Sequence, residues 1–283
     1  MIDLHTHSNA SDGSLSPSDL IAYAAKRGLS AIALTDHDTI NGLMEAQAAA
    51  KNHNIYFIPG IEVEISMPER VYGEFHVLGL GINKPSPAFI EAVNILIKGR
   101  DQRNREMLKR AKELNINITY DELLAHSGGE FIGRLHFAKL IIKKKVVKNI
   151  EQAFARFLGR GKPLYIPKPG LEFDNAISII RESGGLSVLA HPLSLYMSWG
   201  KLPDFIKTIK DRGLDGIEAW HPSAKAQECR RLEELGHSNG LFITAGSDFH
   251  GENRPDRKLG HTAAGKKIDA RLLEAIPLLA EQL

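Results

Sequence analysis

MIDLHTHSNASDG, residues 1–13, opens as an apolar strand, then sets two histidines at alternate positions with an aspartate just behind them. Side chains of a strand alternate faces. His5 and His7 therefore aim together at one point, and Asp12 follows within a short turn. The same order recurs along the chain: a short buried-strand pattern, then imidazole or carboxylate at its C-terminal end. "SAIALTDHD" (30–38) delivers Asp36, His37 and Asp38, and "YFIPGIEVEIS" (56–66) delivers Glu62 and Glu64. "EFHVLGLGI" (74–82) carries His76, and "LSVLAHP" (186–192) ends on His191. "LDGIEAW" (214–220) brings Glu218 with His221 after it, and "LFITAGSDFH" (241–250) brings Asp248 and His250.

Helical patterns separate most of these strands. "SPSDLIAYAAKRG" (16–28) has a Ser-Pro start and a glycine stop. "NGLMEAQAAAKNHN", "EFDNAISIIRESGG", "LPDFIKTIKDRG" and "SAKAQECRRLEELGHSNG" follow suit, and "DARLLEAIPLLAEQL" (269–283) reads as a closing helix. Strands alternating with helices predict a parallel α/β architecture, with a polar turn joining the third and fourth strands. Residues 84–168 break the rhythm. Their apolar spacing is helical throughout, without a buried strand, so they read as a helical insertion between the fourth and fifth strands, with 1–83 and 169–283 forming the core.

The chain has 283 residues, enough for one large domain carrying an insertion. A net charge of +2 argues against a nucleic-acid coat or a membrane-surface binder. No apolar run approaches the ~20 residues that span a bilayer, and Met1 runs straight into a strand pattern rather than a signal peptide. Cys229 is the single cysteine, so no internal disulfide forms and a cytoplasmic setting is expected.

In barrels and open α/β sheets, sites form at the edge where strands end. A lone strand-end histidine such as His76 is more often a hydrogen-bonded core residue than a ligand. Seven strands all bringing such groups to one edge make a metal site the stronger reading. Imidazole with carboxylate suits Mn²⁺, Zn²⁺ or Fe²⁺, and the lack of thiolates argues against a structural zinc knuckle. His53, His126 and His237 fall in helices or their loops and are expected at the surface.

"DLHTHSNASDG", "LTDHDT", "PGIEVE", "FHVLGLGI", "LAHP" and "GSDFH", in this order, resemble the polymerase-and-histidinol-phosphatase (PHP) superfamily of metal-dependent phosphoesterases. "GRLHFAKLI" and "FLGRGKPLYIP" resemble its bacterial branch acting on nucleoside 3′,5′-bisphosphates, some members of which trim short RNAs from a 5′-phosphate end. The resemblance implies a distorted seven-stranded β/α barrel and two or three divalent transition-metal ions, Mn²⁺ first, with Zn²⁺ or Fe²⁺ as alternatives. Carried over by position, His5, His7, Glu62 and Asp248 would hold one ion. Glu62, His76 and His191 would hold a second, and Asp12, His37 and His250 a third. Many relatives have histidine in place of Asp12, which either binds a harder ion or hydrogen-bonds a neighbouring histidine. Relatives often read "AHPGR" where this chain reads "AHPLS", with Ser194 replacing an arginine.

Metal ions lower the pKa of bound water toward ~7 and so supply hydroxide at neutral pH. Asp36 and His191 are the candidates for orienting the nucleophile or carrying a proton. For a second phosphate the candidates are Arg134 and His136 in "GRLHF", with Lys162, His221 and His261 behind them, because arginine grips phosphate in bidentate fashion. "KKK" at 143–145 reads as a solvated helix face. The expected substrate is a nucleotide, extending to short RNA, with no membrane and no obligate protein partner. Histidinol phosphatase shares the metal set and is a competing reading. A silent metal or nucleotide sensor is another, opposed by the full ligand set. A polymerase proofreading module is a further one, opposed by the closing helix.

Overall fold

The computed structural model describes residues 1–66, 73–127, 131–168 and 170–276. The chain forms two compact units, Met1–Val93 with Gly170–Leu283, and Asn94–Pro169. The first holds a seven-stranded sheet in sequential order: β1 (Ile2–Asp3), β2 (Ala31–Leu34), β3 (Tyr56–Glu64), β4 (His76–Leu80), β5 (Leu186–Leu189), β6 (Gly216–Trp220) and β7 (Phe242–Ala245). The sheet nearly closes. The Leu4 N–H donates to the Ala245 carbonyl, the Asp248 N–H to His5 and the His7 N–H to Phe249, so the two outer strands meet just beyond their ladders. This is the distorted seven-stranded barrel that the sequence predicts.

One element departs from the parallel expectation: β4 runs antiparallel to both β3 and β5. Only residues 65–75 separate β3 from β4, whereas a parallel return needs a crossover of about a dozen residues or more. The reversal matters for the site. His76 is the first residue of β4, paired with Glu64 at the end of β3. It thus reaches the same edge as the C-terminal ends of the other strands. The expected polar turn between β3 and β4 falls largely on 67–72, outside the described residues.

Packing follows strand alternation. On β2, Ala31 and Ala33 join Ile2, Leu4, Ile58, Leu78, Leu80 and Val188 in one buried cluster. The intervening Ile32 and Leu34 pack with Leu20, Ile21 and Ala24 of α1 (Pro17–Lys26) and with the alanines of α2 (Leu43–His53). Ser16 caps α1 by accepting from the Asp19 N–H, as its Ser-Pro start predicts. The helices α7 (Phe173–Glu182), α8 (Leu202–Asp211) and α9 (Ala226–Ser238) complete the first unit's βα rhythm. Of the expected closing helix, α10 (Arg271–Glu274) is present, and its remainder from 277 lies outside the described residues.

The helix α3 (Pro87–Glu113) leads into the second unit, which contains α4 (Tyr120–Ser127), α5 (Arg134–Lys143) and α6 (Ile150–Ala153), the last running into a π-helical turn, Phe154–Leu158. It has its own core, including Met107, Leu123, Phe137, Ile141 and Leu164.

Closure of the barrel depends on a residue with no side chain. A Cβ built on Gly246 would lie 2.2 Å from His5 Cβ and 2.6 Å from Glu218 Oε1. Gly246→Ala must therefore push the end of β7 away from His5, at an overpacking cost of about 1–3 kcal/mol. Thermal unfolding should show a lower midpoint, by about 2–4 °C per kcal/mol. An unchanged midpoint would mean that the strand ends are not packed this closely.

Candidate metal centre

Glu62 is fully buried near the end of β3. Its Oε1 lies 2.8 Å from His76 Nδ1 and 2.8 Å from His191 Nε2. Its Oε2 lies 3.2 Å from His5 Nε2, 3.3 Å from His7 Nε2 and 3.1 Å from His37 Nδ1. Asp248 Oδ1 faces the other side of the first pair, 3.7 Å from His5 Nε2 and 3.4 Å from His7 Nε2. Asp12 Oδ1 is 3.2 Å from His250 Nε2 and 3.9 Å from both His7 Nδ1 and His37 Nε2. These residues fall into four overlapping groups with metal-ligand spacing: His5–His7–Asp248, His5–Glu62–His191, His37–Glu62–His76, and His7–Asp12–His37–His250. The structure thus brings together all the residues expected as ligands.

The imidazoles are anchored on one nitrogen and turned inward on the other. His5 Nδ1 bonds Glu218 Oε1 at 3.0 Å, leaving Nε2 inward. The His250 Nδ1–H donates to the Asp248 carbonyl at 2.8 Å. His76 is reversed, with Nε2 held by Glu64 at 2.8 Å and Nδ1 inward. Ser194 explains its own departure from the relatives' arginine. Its hydroxyl donates to the Glu74 carbonyl at 3.0 Å, so it accepts from His191 Nδ1–H at 2.7 Å. That leaves the His191 Nε2 lone pair facing Glu62. His5 Nε2, His7 Nε2 and Glu62 Oε2 are buried and close together, yet none is in hydrogen-bond geometry. Anchored, converging nitrogens with unsatisfied lone pairs are what divalent metal ligands require, so the residues fit such a centre.

Backbone strain lies at the same place. Asp38 (φ 52°), His191 (φ 28°) and Asp248 (φ 52°) are in the left-handed region, at a cost of roughly 1–3 kcal/mol each. Specific bonds hold them: the Asp38 N–H to the Glu62 carbonyl, the Asp248 N–H to the His5 carbonyl, and the His191 N–H to Glu218 Oε2 at 2.7 Å.

The electrostatics follow from burial opposed by close charge. Burial raises the Glu62 carboxyl, but His37, His5 and His76 outweigh it and hold it well below the carboxylate range. Burial would lower His7, yet Asp248 and Glu62 raise it to about 9. His76 reaches about 10 against burial, through Glu62 and Glu64. Burial lowers His5 too, but Glu218 and Glu62 lift it well above its ordinary value.

Other expected site residues have different surroundings. Asp36 accepts from the Ser8 N–H (2.8 Å), the Ser8 hydroxyl (2.6 Å) and the Ser11 hydroxyl (2.5 Å). Both its oxygens are turned to the Ser8–Ser11 turn after β1. His191 faces Glu62 as a ligand would. His221 Nδ1 lies 2.6 Å from the Ser223 hydroxyl and 3.2 Å from the Ser223 N–H, and its Nε2 is buried 3.4 Å from Asp248 Oδ2. His261 donates from Nδ1 to the Leu259 carbonyl at 2.9 Å. Arg134, His136 and Lys162 belong to the helical unit. The Arg134 guanidinium sits 5.8 Å from the Phe154 ring centre and 5.7 Å from that of Tyr165. His136 Nδ1 accepts the Gly133 N–H at 3.0 Å, capping α5, and Lys162 is exposed. His53, His126 and His237 are exposed, as expected.

Sequence reading gave Glu218 and Glu64 no role, although both stood among the strand-end acids. It missed Asp3, which shares the alternate-residue pattern of His5 and His7. Asp3 accepts from the Ser247 N–H (2.9 Å), the Ser247 hydroxyl (2.5 Å) and the Gly260 N–H (2.7 Å), tying β1 to the segment after β7.

The PHP domain family profile matches residues 3–164. The chain is 34% identical over 262 residues to a 3′,5′-nucleoside bisphosphate phosphatase of Chromobacterium violaceum, covering 92% of this chain and 91% of that protein. It is 34% identical over 248 residues to a 5′-3′ exoribonuclease of Haemophilus influenzae, covering 88% and 89%. Among solved structures it resembles an amidohydrolase from Chromobacterium violaceum with bound sulfate and no metal. The TM-score is 0.84 at 32% identity, over 95% of this chain and 92% of that one.

The raised imidazoles set a pH dependence. At neutral pH, groups at about 9 and about 10 carry protons in the metal-free chain, and a metal binds only the neutral ring. Metal loading at pH 7 should therefore release protons, and apparent affinity should rise with pH through that range. Calorimetry in two buffers of different ionisation enthalpy measures the release. Proton-neutral metal binding would mean that His7 and His76 are already neutral in the metal-free chain.

Proposed function

The chain belongs to the PHP domain family, and from that premise we propose that it is a metal-dependent phosphoesterase removing the 3′-phosphate from nucleoside 3′,5′-bisphosphates. The observation that carries the reading is one buried carboxylate, Glu62, which presents Oε1 to His76 and His191 and Oε2 to His5 and His7. His5, His7, Glu62 and Asp248 hold one divalent ion. Glu62, His76 and His191 hold a second, and Asp12, His37 and His250 a third. Mn²⁺ suits this oxygen- and imidazole-rich set, with Zn²⁺ or Fe²⁺ as alternatives. Bound there, such ions neutralise phosphoryl oxygens and activate water.

The chain's own groups do the rest. Glu218, Glu64 and Ser194 fix the ring orientations of His5, His76 and His191. His221 turns its Nε2 toward Asp248, beside the ligand groups. The helical unit selects the nucleotide, with Arg134, His136 and Lys162 taking the phosphate that is not cleaved. The phosphatase of Chromobacterium violaceum, alike over nearly its whole length, supports this substrate. The exoribonuclease relative, equal in identity, favours a second substrate on the same metal set: short RNA bearing a 5′-phosphate. No described helix is long and apolar enough to cross a membrane, and the free, buried Cys229 is in keeping with a cytoplasmic enzyme.

The deciding experiment is phosphate release from adenosine 3′,5′-bisphosphate, AMP, histidinol phosphate and a 5′-phosphorylated trinucleotide, each with Mn²⁺, Zn²⁺ and Mg²⁺. Preference for histidinol phosphate would overturn the nucleotide reading. Elemental analysis should find at least two ions per wild-type chain and at most one in Glu62→Gln, which keeps the shape and loses the bridging charge. Two ions in Glu62→Gln would exclude bridging. Arg134→Ala should lower kcat/KM on adenosine 3′,5′-bisphosphate roughly 10- to 150-fold, the range of one charge-assisted contact. Hydrolysis of p-nitrophenyl phosphate should be nearly unchanged, because remote binding energy acts only when the remote group is present. Equal losses on both would make Arg134 structural.

A further inference from the structure

Between residues 131 and 168 the chain holds ten lysines and arginines and one acid, Glu151. The overall balance of +2 conceals this run, because the rest of the chain carries more acid than base. Lys143, Lys144, Lys145, Lys148, Arg156 and Arg160 are all exposed. On the barrel, exposed arginines meet acids, as Arg181 meets Asp215, Arg212 meets Asp174 and Arg271 meets Asp269. Here the matching acids are scarce. Lys144 pairs with Glu122, but among the described residues Lys143, Lys145, Lys148 and Arg156 make no ion pair.

The fold gathers these four cations. Only Lys143 lies on α5, as its last residue, where the helix dipole favours a cation. Lys145, at φ 59°, turns the chain out of the helix. The Lys148 N–H bonds Gln152 Oε1 at 3.1 Å, at the start of α6. Arg156, in the π-helical turn that follows, reaches back, and its Nη1 donates to the Val146 carbonyl at 3.5 Å. Its guanidinium is thereby brought against the segment that carries Lys145 and Lys148. The cations share one corner of the helical unit, and most of them lie where no helix dipole calls for them. Like charges held together repel one another, so the occupant suited to this corner is a chain of negative charges. Half-buried aromatic rings accompany the basic groups. The Arg156 guanidinium lies 5.1 Å from the centre of the Phe157 ring, and Arg134 lies near Phe154 and Tyr165. Cations interleaved with aromatic rings suit a single nucleic-acid strand, with phosphates on the charges and bases against the rings. We propose that the corner formed by Lys143, Lys145, Lys148 and Arg156 binds the sugar–phosphate backbone of a single-stranded nucleic acid. The inference deepens the short-RNA reading of the function and rests on it for its use, while strand binding is measured apart from hydrolysis.

The test is fluorescence anisotropy on the metal-loaded enzyme with 5′-fluorescein oligouridylate and oligothymidylate. Each is used as a trinucleotide and as a strand of about 12 nucleotides, within the range of single-strand site sizes. Affinity should rise with length and fall with salt. The quadruple variant Lys143→Gln, Lys145→Gln, Lys148→Gln, Arg156→Gln should flatten the slope of log affinity against log salt by about 0.7 per lost contact, about 3 in all. Its Tm and its kcat/KM on p-nitrophenyl phosphate and adenosine 3′,5′-bisphosphate should stay at the wild-type level. A control variant removes equal charge from exposed lysines of the barrel, Lys26→Gln, Lys51→Gln, Lys201→Gln, Lys207→Gln, and should leave the slope nearly unchanged. Binding of either sugar bears the proposal out, because the contacts are to phosphates, and the tighter of the two identifies the natural strand. An equal loss in both variants would make binding a matter of net charge and overturn the proposal. So would affinity that does not grow with strand length, or tighter binding to vesicles of anionic lipid than to either strand. If the wild type binds strands through these cations but releases no phosphate from nucleotides, the substrate reading fails and this one stands.

Discussion

One buried carboxylate organises the functional end of this protein. Glu62 has no exposure to solvent, and five imidazoles lie within 3.3 Å of its two oxygens. A lone buried carboxylate would take up a proton rather than stay charged. Here the surrounding rings keep Glu62 ionised, and Glu62 in turn raises His5, His7 and His76. In the metal-free chain that mutual support comes from protons. Divalent ions supply the same positive charge in a geometry that the anchored rings already present. The strands must therefore end where they do. His5 and His7 follow β1, Glu62 sits on β3, His76 begins β4, His191 follows β5 and Asp248 follows β7. A shift of one strand by one residue would turn its ligand to the opposite face.

The anchoring groups explain why this convergence is stable. Glu218 ties together two ligand-bearing segments, holding the His5 ring with Oε1 and the His191 backbone with Oε2. Asp3 does the same for the closing edge, gripping residues 247 and 260. The strained residues Asp38, His191 and Asp248 sit within this network, and each has its own N–H bonded to the network's backbone or carboxylates. The strain is local and over-determined, the circumstance in which left-handed residues persist at functional sites.

Much of this was legible in the sequence because it depends on short-range rules. Strand periodicity, Ser-Pro and glycine punctuation, and the recurrence of imidazole or carboxylate at strand ends identify the α/β core and its ligand edge, and the family resemblance adds the barrel. The direction of β4 was not read, although the short 65–75 connection excluded a parallel crossover. The hydrogen bonds of Asp36 also escaped, because its position beside His37 says nothing of Ser8 and Ser11. Only the fold shows both its oxygens turned to Ser8 and Ser11. Ser194 stood only as the replacement of an arginine, yet it fixes the tautomer of His191.

These omissions share a cause. Sequence periodicity reports which face of an element a residue occupies, while the orientation of a ring or fork is set by partners far away in the chain. His5 and Glu218 are 213 positions apart, and Asp3 and Gly260 are 257 apart. The division has a chemical consequence. Groups that hold metal come from the strand-end pattern, so they accompany the barrel itself. Groups that orient rings or face the site from beside it, such as Ser194 and His221, come from the loops after β5 and β6. Loops tolerate substitution that the strands do not. Substrate preference can therefore change through those loops while Glu62 and its imidazoles stay as they are.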